Sequence, residues 1–306
     1  MSPQHTSSGI VVGVDGSPSS IAAVEWAARD AEMRGVPLKL VHVARPIPDK
    51  TFERGWVEFF GPVPQAQLTA DYSSWQDDQA HHLLEEAYKI ALETASPSRA
   101  SQVSSEVLYA PILPTLIDLS RQADMVVVGC RGQTAVARAL LGSVSSGLVH
   151  HAQCPVVVIH DDDALAILSS QAPVVVGIDG SPASELATAI AFDEASFRGV
   201  DLVALHARTD SDNSLSMEWS PLQSRAAEIL AERLAGWQER YPDLTIHRRV
   251  VFDRPARHLL DESESAQLVV VGSHGRGGFT GMLLGSVSRA VVNSARIPVI
   301  VARMPR

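Results

Sequence analysis

The sequence predicts an α/β protein made of two repeated, doubly wound domains, each a parallel β-sheet with helices on both faces. Short Val- and Ile-rich runs alternate with amphipathic segments along the 306 residues, which is typical of parallel strands joined by helices. The runs are hydrophobic almost throughout, which indicates strands buried on both faces. The pattern also occurs twice, because Val11 to Pro18 returns nearly unchanged as Val175 to Pro182.

Five strands are expected in each half, and each is a short apolar run bounded by polar or turn-forming residues. In the first half they span Gly9 to Asp15, Leu38 to Ala44, Gln102 to Leu108, Asp124 to Gly129 and Pro155 to His160. In the second half they span Pro173 to Asp179, Leu202 to Ala207, Ile246 to Val251, Leu268 to Gly272 and Pro298 to Arg303.

A helix is expected after the first strand of each half. Ser17-Pro18 and Ser181-Pro182 place a capping hydroxyl before a proline, which suits the first position of a helix. Gly35 and Gly199 follow at the expected helix ends, where glycine is the preferred residue.

A glycine-rich loop follows the fourth strand of each half with the same spacing, in which nine residues separate a Gly-x-x-Gly from a Gly-Ser. The two copies are Gly129, Gly132, Gly142 and Ser143, and Gly272, Gly275, Gly285 and Ser286. A spacing that occurs twice in register is more specific than a single occurrence. The serine hydroxyls can either cap the following helices or contact a phosphate group.

The repeat also predicts the domain boundaries, with a first domain over 1–160, an acidic linker over 161–172 and a second domain over 173–306. Asp15 and Asp179 are 164 positions apart whereas Gly129 and Gly272 are 143 apart, so the first half carries 21 additional residues. Most of them are expected between Pro46 and Asp71, a stretch rich in proline and aromatic residues. This stretch forms either a surface loop on its own domain or a lid or partner-contact segment.

Composition and charge argue against several classes of function. The formal net charge is -10 and no cluster of Lys and Arg interrupts it, which argues against a nucleic acid as partner. No apolar run approaches the roughly 18 residues of a membrane span, so no membrane association is expected. The N-terminus has neither the basic start nor the apolar core of a signal peptide, and a cytoplasmic location is expected.

The two cysteines, Cys130 and Cys154, lack metal-ligand spacing and have Ser273 and Ile297 at the equivalent positions of the second half. We therefore expect reduced thiols rather than a disulfide or a metal site. Cys130 lies inside a glycine loop, where modification of its thiol would disturb that loop.

The repeated motifs are expected to meet in one crevice in each half. Ligands of open parallel sheets bind outside the carboxyl ends of the strands, where Asp15 and Asp179 and the glycine loops are all expected. Glycines let backbone N–H groups approach an anion, and a helix start adds its positive dipole. The carboxylates suit ribose hydroxyls or cap the next helix, whereas His42 and His206 are expected to be packed, hydrogen-bonded residues.

Several motifs of nucleotide chemistry are missing. The chain has no Gly-Lys-Ser/Thr, no Gly-x-Gly-x-x-Gly after the first strand and no nucleophile elbow. Neither motif contains a candidate general base with an orienting partner. The residues thus favour binding without fast chemistry, with no catalytic residue and no metal ligand assigned.

The motifs resemble those of the universal stress protein family in its tandem-domain form. The resemblance covers Gly9 to Arg303 apart from the insertion and linker, and it includes the closing Cys-Pro-Val-Val-Val and Ile-Pro-Val-Ile-Val. It implies a five-stranded parallel sheet of order 3-2-1-4-5 in each half and binding of ATP, with or without Mg²⁺. It also implies that the last strands of the two halves pair with each other, and a homodimer of the whole chain is possible.

The resemblance implies a set of binding residues in each half, with Gly13, Asp15 and Val43, or Gly177, Asp179 and Ala207, around adenine and ribose and the loops around the phosphates. The first set is Gly13, Asp15, Val43, Gly129, Cys130, Arg131, Gly132, Gln133, Thr134, Gly142, Ser143 and Val144. The second set is Gly177, Asp179, Ala207, Gly272, Ser273, His274, Gly275, Arg276, Gly277, Gly278, Gly285, Ser286 and Val287.

The two sets are unequal, and three functions are compatible with them. The second loop is richer in glycine, so we expect its site to be the better occupied of the two. The leading hypothesis is an ATP-binding regulator of the stress response with little or no turnover. The alternatives are a slow ATPase or nucleotidyl transferase, using Asp15 or Asp179 with Arg131 or Arg276, and a scaffold that binds no nucleotide.

Overall fold

The computed structural model describes residues 9–46, 65–96, 102–132, 141–160, 171–208, 219–276 and 284–304. In the two long helices, side chains are described from residues 73 and 224 onward. Within these ranges, no helix is both long enough and apolar enough to cross a membrane.

The strands and helices alternate along both halves in the same order. The first half contains β1 (Ile10–Gly13), α1 (Pro18–Arg34), β2 (Leu38–Ala44), α2 (Gln65–Thr94), β3 (Val103–Tyr109), α3 (Ile112–Leu119), β4 (Met125–Gly129), α4 (Ser143–His151) and β5 (Val156–Ile159). The second half contains β6 (Val174–Ile178), α5 (Pro182–Arg198), β7 (Leu202–Arg208), α6 (Trp219–Arg240), β8 (Ile246–Phe252), α7 (Pro255–Ser263), β9 (Leu268–Gly272), α8 (Ser286–Ser294) and β10 (Val299–Ala302). Every predicted strand is present, within two residues of its expected bounds.

All the strands belong to one ten-stranded sheet of order β3-β2-β1-β4-β5-β10-β9-β6-β7-β8. Each half has the order 3-2-1-4-5 and is parallel throughout, which confirms the predicted fold class. The halves join where β5 and β10 pair antiparallel, with Val157 opposite Ile300. Pairing covers the edge that each last strand would otherwise expose.

A separate hydrophobic core lies on each face of this sheet. Ile10 and Val12 belong to one core and Val11 to the other, as the alternation of side chains along a strand requires. Both cores continue across the join between β5 and β10. Val157 and Ile300 belong to one core, Val158 and Val299 belong to the other, and both strands are fully buried. The two halves therefore share their cores.

The helices after β1 and β6 begin and end where the sequence predicts. Ser17 and Ser181 are the N-caps, and their hydroxyls accept hydrogen bonds from Ser20 N at 3.2 Å and Ser184 N at 3.3 Å. Gly35 and Gly199 end the helices in the left-handed region, with φ of 72° and 63°. These caps direct both helix starts toward the carboxyl ends of the strands.

The insertion is only partly within the described residues. Positions 47–64 lie outside them, so the hypothesis of a lid or partner-contact segment is not addressed there. The expectation of a loop up to Asp71 is wrong in its last part, because α2 begins at Gln65. This stretch adds turns to a helix of 30 residues whose counterpart α6 has 22.

Two acidic and two basic side chains form a buried ionic cluster between α1 and α5. Arg34 Nε lies 2.7 Å from Asp30 and Arg198 Nη2 lies 2.9 Å from Glu194 within their own helices. Across the join, Arg198 lies 3.2 Å from Asp30, and Arg34 also pairs with Glu194. Both carboxylates are fully buried, so each depends on the arginines of both halves.

Each half also binds the helix end of the other half. Arg303, after β10, donates to Ala152 O at 2.8 Å and to Val149 O at the end of α4. Nε2 of His160, after β5, lies 3.0 Å from Val292 O in α8. Cationic or N–H donor groups at these positions suit the negative end of a helix.

Candidate functional site

The repeated motifs come together at the carboxyl ends of the strands, at the point in each half where the strand order reverses. β1 lies between β2 and β4, and β6 lies between β7 and β9. The helices that leave these strands run to opposite faces of the sheet, which opens a crevice between the strand ends. The crevice therefore lies where the sequence predicts it, outside the carboxyl ends of the strands.

In the second half this crevice is a cavity of about 1240 Å³. Pockets that bury small ligands usually measure roughly 300–1,000 Å³, so the space is large enough for a nucleotide. Ten of the predicted binding residues line it: Gly177, Asp179, Ala207, Gly272, His274, Gly275, Arg276, Gly285, Ser286 and Val287.

Asp179 connects the start of α5 with the glycine loop after β9. Its Oδ1 accepts a hydrogen bond from Ser181 N at 2.9 Å, which is an Asx turn, and its Oδ2 accepts one from Arg276 N at 3.1 Å. The two predicted roles of Asp179, capping the helix and binding a ligand, are therefore compatible. A carboxylate has about four acceptor positions, and two remain for a ligand.

The glycines of the second loop are required by close contacts within the protein. A Cβ at Gly275 would lie 2.5 Å from Asp179 Oδ2, and one at Gly272 would lie 2.8 Å from the backbone of Ala183. The Ser181 hydroxyl also donates to His274 O at 3.0 Å, which fixes the loop against the start of α5. These contacts within the protein fix the shape of the crevice without a ligand.

The start of α8 faces the cavity without a side-chain cap. Gly285 is the N-cap, its N–H donates to Ser273 O at 2.8 Å, and no side chain bonds to the first turn. The sequence left two roles open for the Ser286 hydroxyl, capping the helix or contacting a phosphate. Ser286 is the first residue of the helix and makes no capping hydrogen bond, so capping is excluded. Ser286 and Val287 of this first turn line the cavity, and a serine hydroxyl and uncapped helix N–H groups suit an anion.

The wall formed by β7 contains His206 and Ala207. The Nδ1 atom of His206 lies 2.7 Å from Ile178 O, and that of His42 lies 2.8 Å from Val14 O in the first half. Since a carbonyl only accepts, Nδ1 carries the proton in both rings. Both histidines are thus packed and hydrogen-bonded as expected, and His206 also lines the cavity.

Helix α6 contributes a wall that sequence reasoning missed. Its contacts with the cavity are Arg225, Ala226, Ile229 and Arg233, which share one helical face. Ser184, Leu205, Pro255 and Leu259 also line the cavity. The available signal was the helical spacing of two arginines on a face that also carries buried Ala226 and Leu230.

The first half repeats the loop geometry. Asp15 Oδ1 accepts from Ser17 N at 3.0 Å, and a Cβ at Gly132 would lie 2.7 Å from Asp15 Oδ2. The hydroxyls of Ser17 and Ser19 donate to Arg131 O at 3.1 and 2.7 Å. Close by, Ser143 and Val144 line a smaller cavity of about 440 Å³.

Some predicted site residues are not brought to a cavity wall. Ser273 and Cys130 are 4% and 2% exposed and point into the protein, and the buried Cys130 and Cys154 form no disulfide within the described residues. Val43 is buried in the core, and Gly13 and Gly129 pack against Val128 and Ser19. Gln133, Thr134, Gly277 and Gly278 lie outside the described residues.

The family model described as the universal stress protein family matches the chain over residues 8–55, 61–160 and 172–303. The universal stress protein Rv1996 of Mycobacterium tuberculosis is 56% identical over 314 aligned residues, covering 100% of this chain and 98% of that protein. Rv2623 of the same organism is 53% identical, covering 99% of each chain.

Solved structures show the same fold at much lower identity. A universal stress protein from Archaeoglobus fulgidus aligns with a TM-score of 0.67 at 19% identity, over 96% of this chain and 98% of that one. A structure described as a universal stress protein from Pseudomonas aeruginosa aligns with a TM-score of 0.60 at 15% identity, over 98% and 94% of the two chains.

Proposed function

This chain belongs to the universal stress protein family, and we propose that it binds ATP in the second-half crevice and acts as a nucleotide-dependent regulator with little or no turnover. The family assignment supports a role in the stress response. The observation that carries the proposal is one cavity that combines a glycine loop, an uncapped helix start and the carboxylate of Asp179. These are the groups that phosphates and a ribose would require.

The distribution of groups along the cavity supports an adenine nucleotide. Leu205, Ala207 and Ile229 provide apolar surface for a base, and Asp179 retains acceptor positions for ribose hydroxyls. Gly275, Arg276 and the start of α8 would hold the phosphates. A Mg²⁺ that accompanies the triphosphate would be bound mainly by phosphate oxygens and water, as this ion prefers.

The chemistry of Asp179 supports binding rather than rapid hydrolysis. Each of its oxygens accepts one backbone N–H group, and the ribose hydroxyls of a bound nucleotide would take the remaining acceptor positions. A general base needs a free oxygen within reach of the attacking water.

Titration calorimetry with ATP and two glycine variants tests this proposal. Gly275→Glu should abolish binding in the second half, because the new side chain meets Asp179 and repels phosphates. The matched control is Gly236→Glu on α6, where an added Cβ has open space, and it should bind as the unmodified chain does. Equal binding by both variants, or no binding by the unmodified chain, would refute the proposal.

A further inference from the structure

Arg233 lies on the cavity wall, and its side chain contacts residues outside its own helix α6. Its guanidinium lies directly over Gly180, the residue after Asp179, where φ is +77° and any Cβ would collide with it. Its Nη1 lies 2.7 Å from Glu185 Oε1 on α5. The side chain thus spans from α6 to the start of α5, beside the proposed ribose carboxylate.

Among the described residues of the first half, no ion pair occupies the equivalent positions. Residues 83–87 of α2 (Leu-Leu-Glu-Glu-Ala) align with residues 229–233 of α6 (Ile-Leu-Ala-Glu-Arg), which places Ala87 opposite Arg233. Glu185 aligns with Ile21, and Ala87 is fully buried. The fold therefore packs this position with apolar groups in the first half, and within the described ranges the charged pair belongs to the second crevice.

Stability does not account for the pair either. The two side chains are 30% and 46% exposed, and an ion pair of that exposure contributes little to folding. Meanwhile Arg233 Nε is buried and has no hydrogen-bond partner among the described residues. An unsatisfied buried donor costs free energy, so folding alone does not favour an arginine at this position. The side chain lines the cavity and is 30% exposed, so its terminal N–H groups can donate to an anionic ligand there.

We propose that Arg233 binds a phosphate group of the nucleotide and makes the second site selective for phosphorylated ligands over nucleosides, and that Glu185 neutralises the guanidinium while the site is empty and competes with the phosphate for it. This inference rests on the proposed function. It deepens that function by identifying Arg233 as a charged group of the second site that the first site replaces with Ala87. Arg225 and Arg276 line the same cavity and add to its positive potential.

The test compares ATP with adenosine by calorimetry on the full chain. Arg233→Ala should weaken ATP binding at one site per chain by about tenfold to a hundredfold, the usual effect of a lost charge-assisted hydrogen bond. Adenosine affinity should change less than about twofold, because adenosine has no charged group for Arg233. Arg233→Lys should fall between, and Arg29→Ala, an exposed arginine outside the cavity, should behave as the unmodified chain.

Glu185→Gln provides a second readout, which loss of packing cannot imitate. Removing the competing carboxylate should strengthen ATP binding a few-fold, whereas a purely structural pair would leave it unchanged or weaker. Equal losses for ATP and adenosine in Arg233→Ala, or unchanged ATP affinity, would overturn the inference while leaving ATP binding intact. Failure of the unmodified chain to bind ATP would instead overturn the proposed function, and this inference with it.

Discussion

Asp179 and Gly275 illustrate how closely structural and functional demands coincide at single residues. The carboxylate organises the start of α5 and holds the glycine loop, and the glycine is needed for that approach. The sequence predicts both residues at the site because the motif recurs. It does not predict that Ser273 and Cys130, inside the same loops, are buried, because a loop's residue order does not reveal which side chains face inward.

Asp179→Ala should affect stability and binding together. Losing two hydrogen bonds to backbone N–H groups should lower the free energy of unfolding by about 1–3 kcal/mol, measured by urea titration. The same change should abolish ATP binding in the second half. Asp15→Ala is the matched control, which should cost similar stability without affecting the second site, and wild-type ATP affinity in Asp179→Ala would contradict the account.

At the level of elements, strands and helix caps were predictable because local chemistry determines them. Apolar runs bounded by polar residues define the strands, and Ser-Pro with a later Gly defines α1 and α5. The spacing of Arg225 and Arg233 indicates that they share a face of α6, but it does not show that this face borders the crevice. The repeat gives no help, because α2 and α6 align with an offset of 146 positions and the glycine loops with an offset of 143. Only the folded structure shows that Arg233 reaches the crevice.

Ser181→Ala should damage the second site more than Ser17→Ala damages the first. Both variants lose an N-cap, which costs about 1 kcal/mol of unfolding free energy. In the first half Ser19 also donates to Arg131 O, whereas its counterpart in the second half is Ala183. Calorimetry should show weaker ATP binding in Ser181→Ala, and an unchanged affinity would show that the cap does not hold the loop.

In the whole molecule, the resemblance to the family predicts the joining of β5 with β10 but not the ionic cluster between α1 and α5. Asp30 and Arg34 recur as Glu194 and Arg198 at matched positions, a signal visible in the sequence. Their meeting across the join depends on the sheet pairing, which brings α1 and α5 together. Burial of two carboxylates beside two arginines makes this cluster sensitive to protonation.

The cluster predicts a pH dependence of stability. Burial, with help from the charge of Glu194, raises the pKa of Asp30 from 3.8 to about 7 against the opposing effect of Arg34 and Arg198. A carboxyl with a higher pKa in the folded chain stabilises the fold most at low pH, and this contribution is lost as pH rises through 7. Burial alone would raise the pKa of Glu194, but the charges of Arg198 and Arg34 outweigh burial and lower that pKa. Protonation of Glu194 therefore changes the stability only at acidic pH.

Urea unfolding at pH 6 and pH 8 measures this contribution. The unmodified chain should lose about 1 kcal/mol more stability between these values than Asp30→Asn, which cannot titrate. Comparing the two chains cancels the histidines that titrate in the same range. Identical pH dependence in both would mean that Asp30 does not change protonation there.

The nucleotide content of the purified chain decides whether the second-half crevice holds ATP. After denaturation, the released small molecules are identified and quantified against protein. We expect an adenine nucleotide, chiefly ATP, at close to one per chain, and we expect it to be depleted by Gly275→Glu but not by Gly132→Glu. The absence of any nucleotide, combined with no uptake of added ATP, would contradict it.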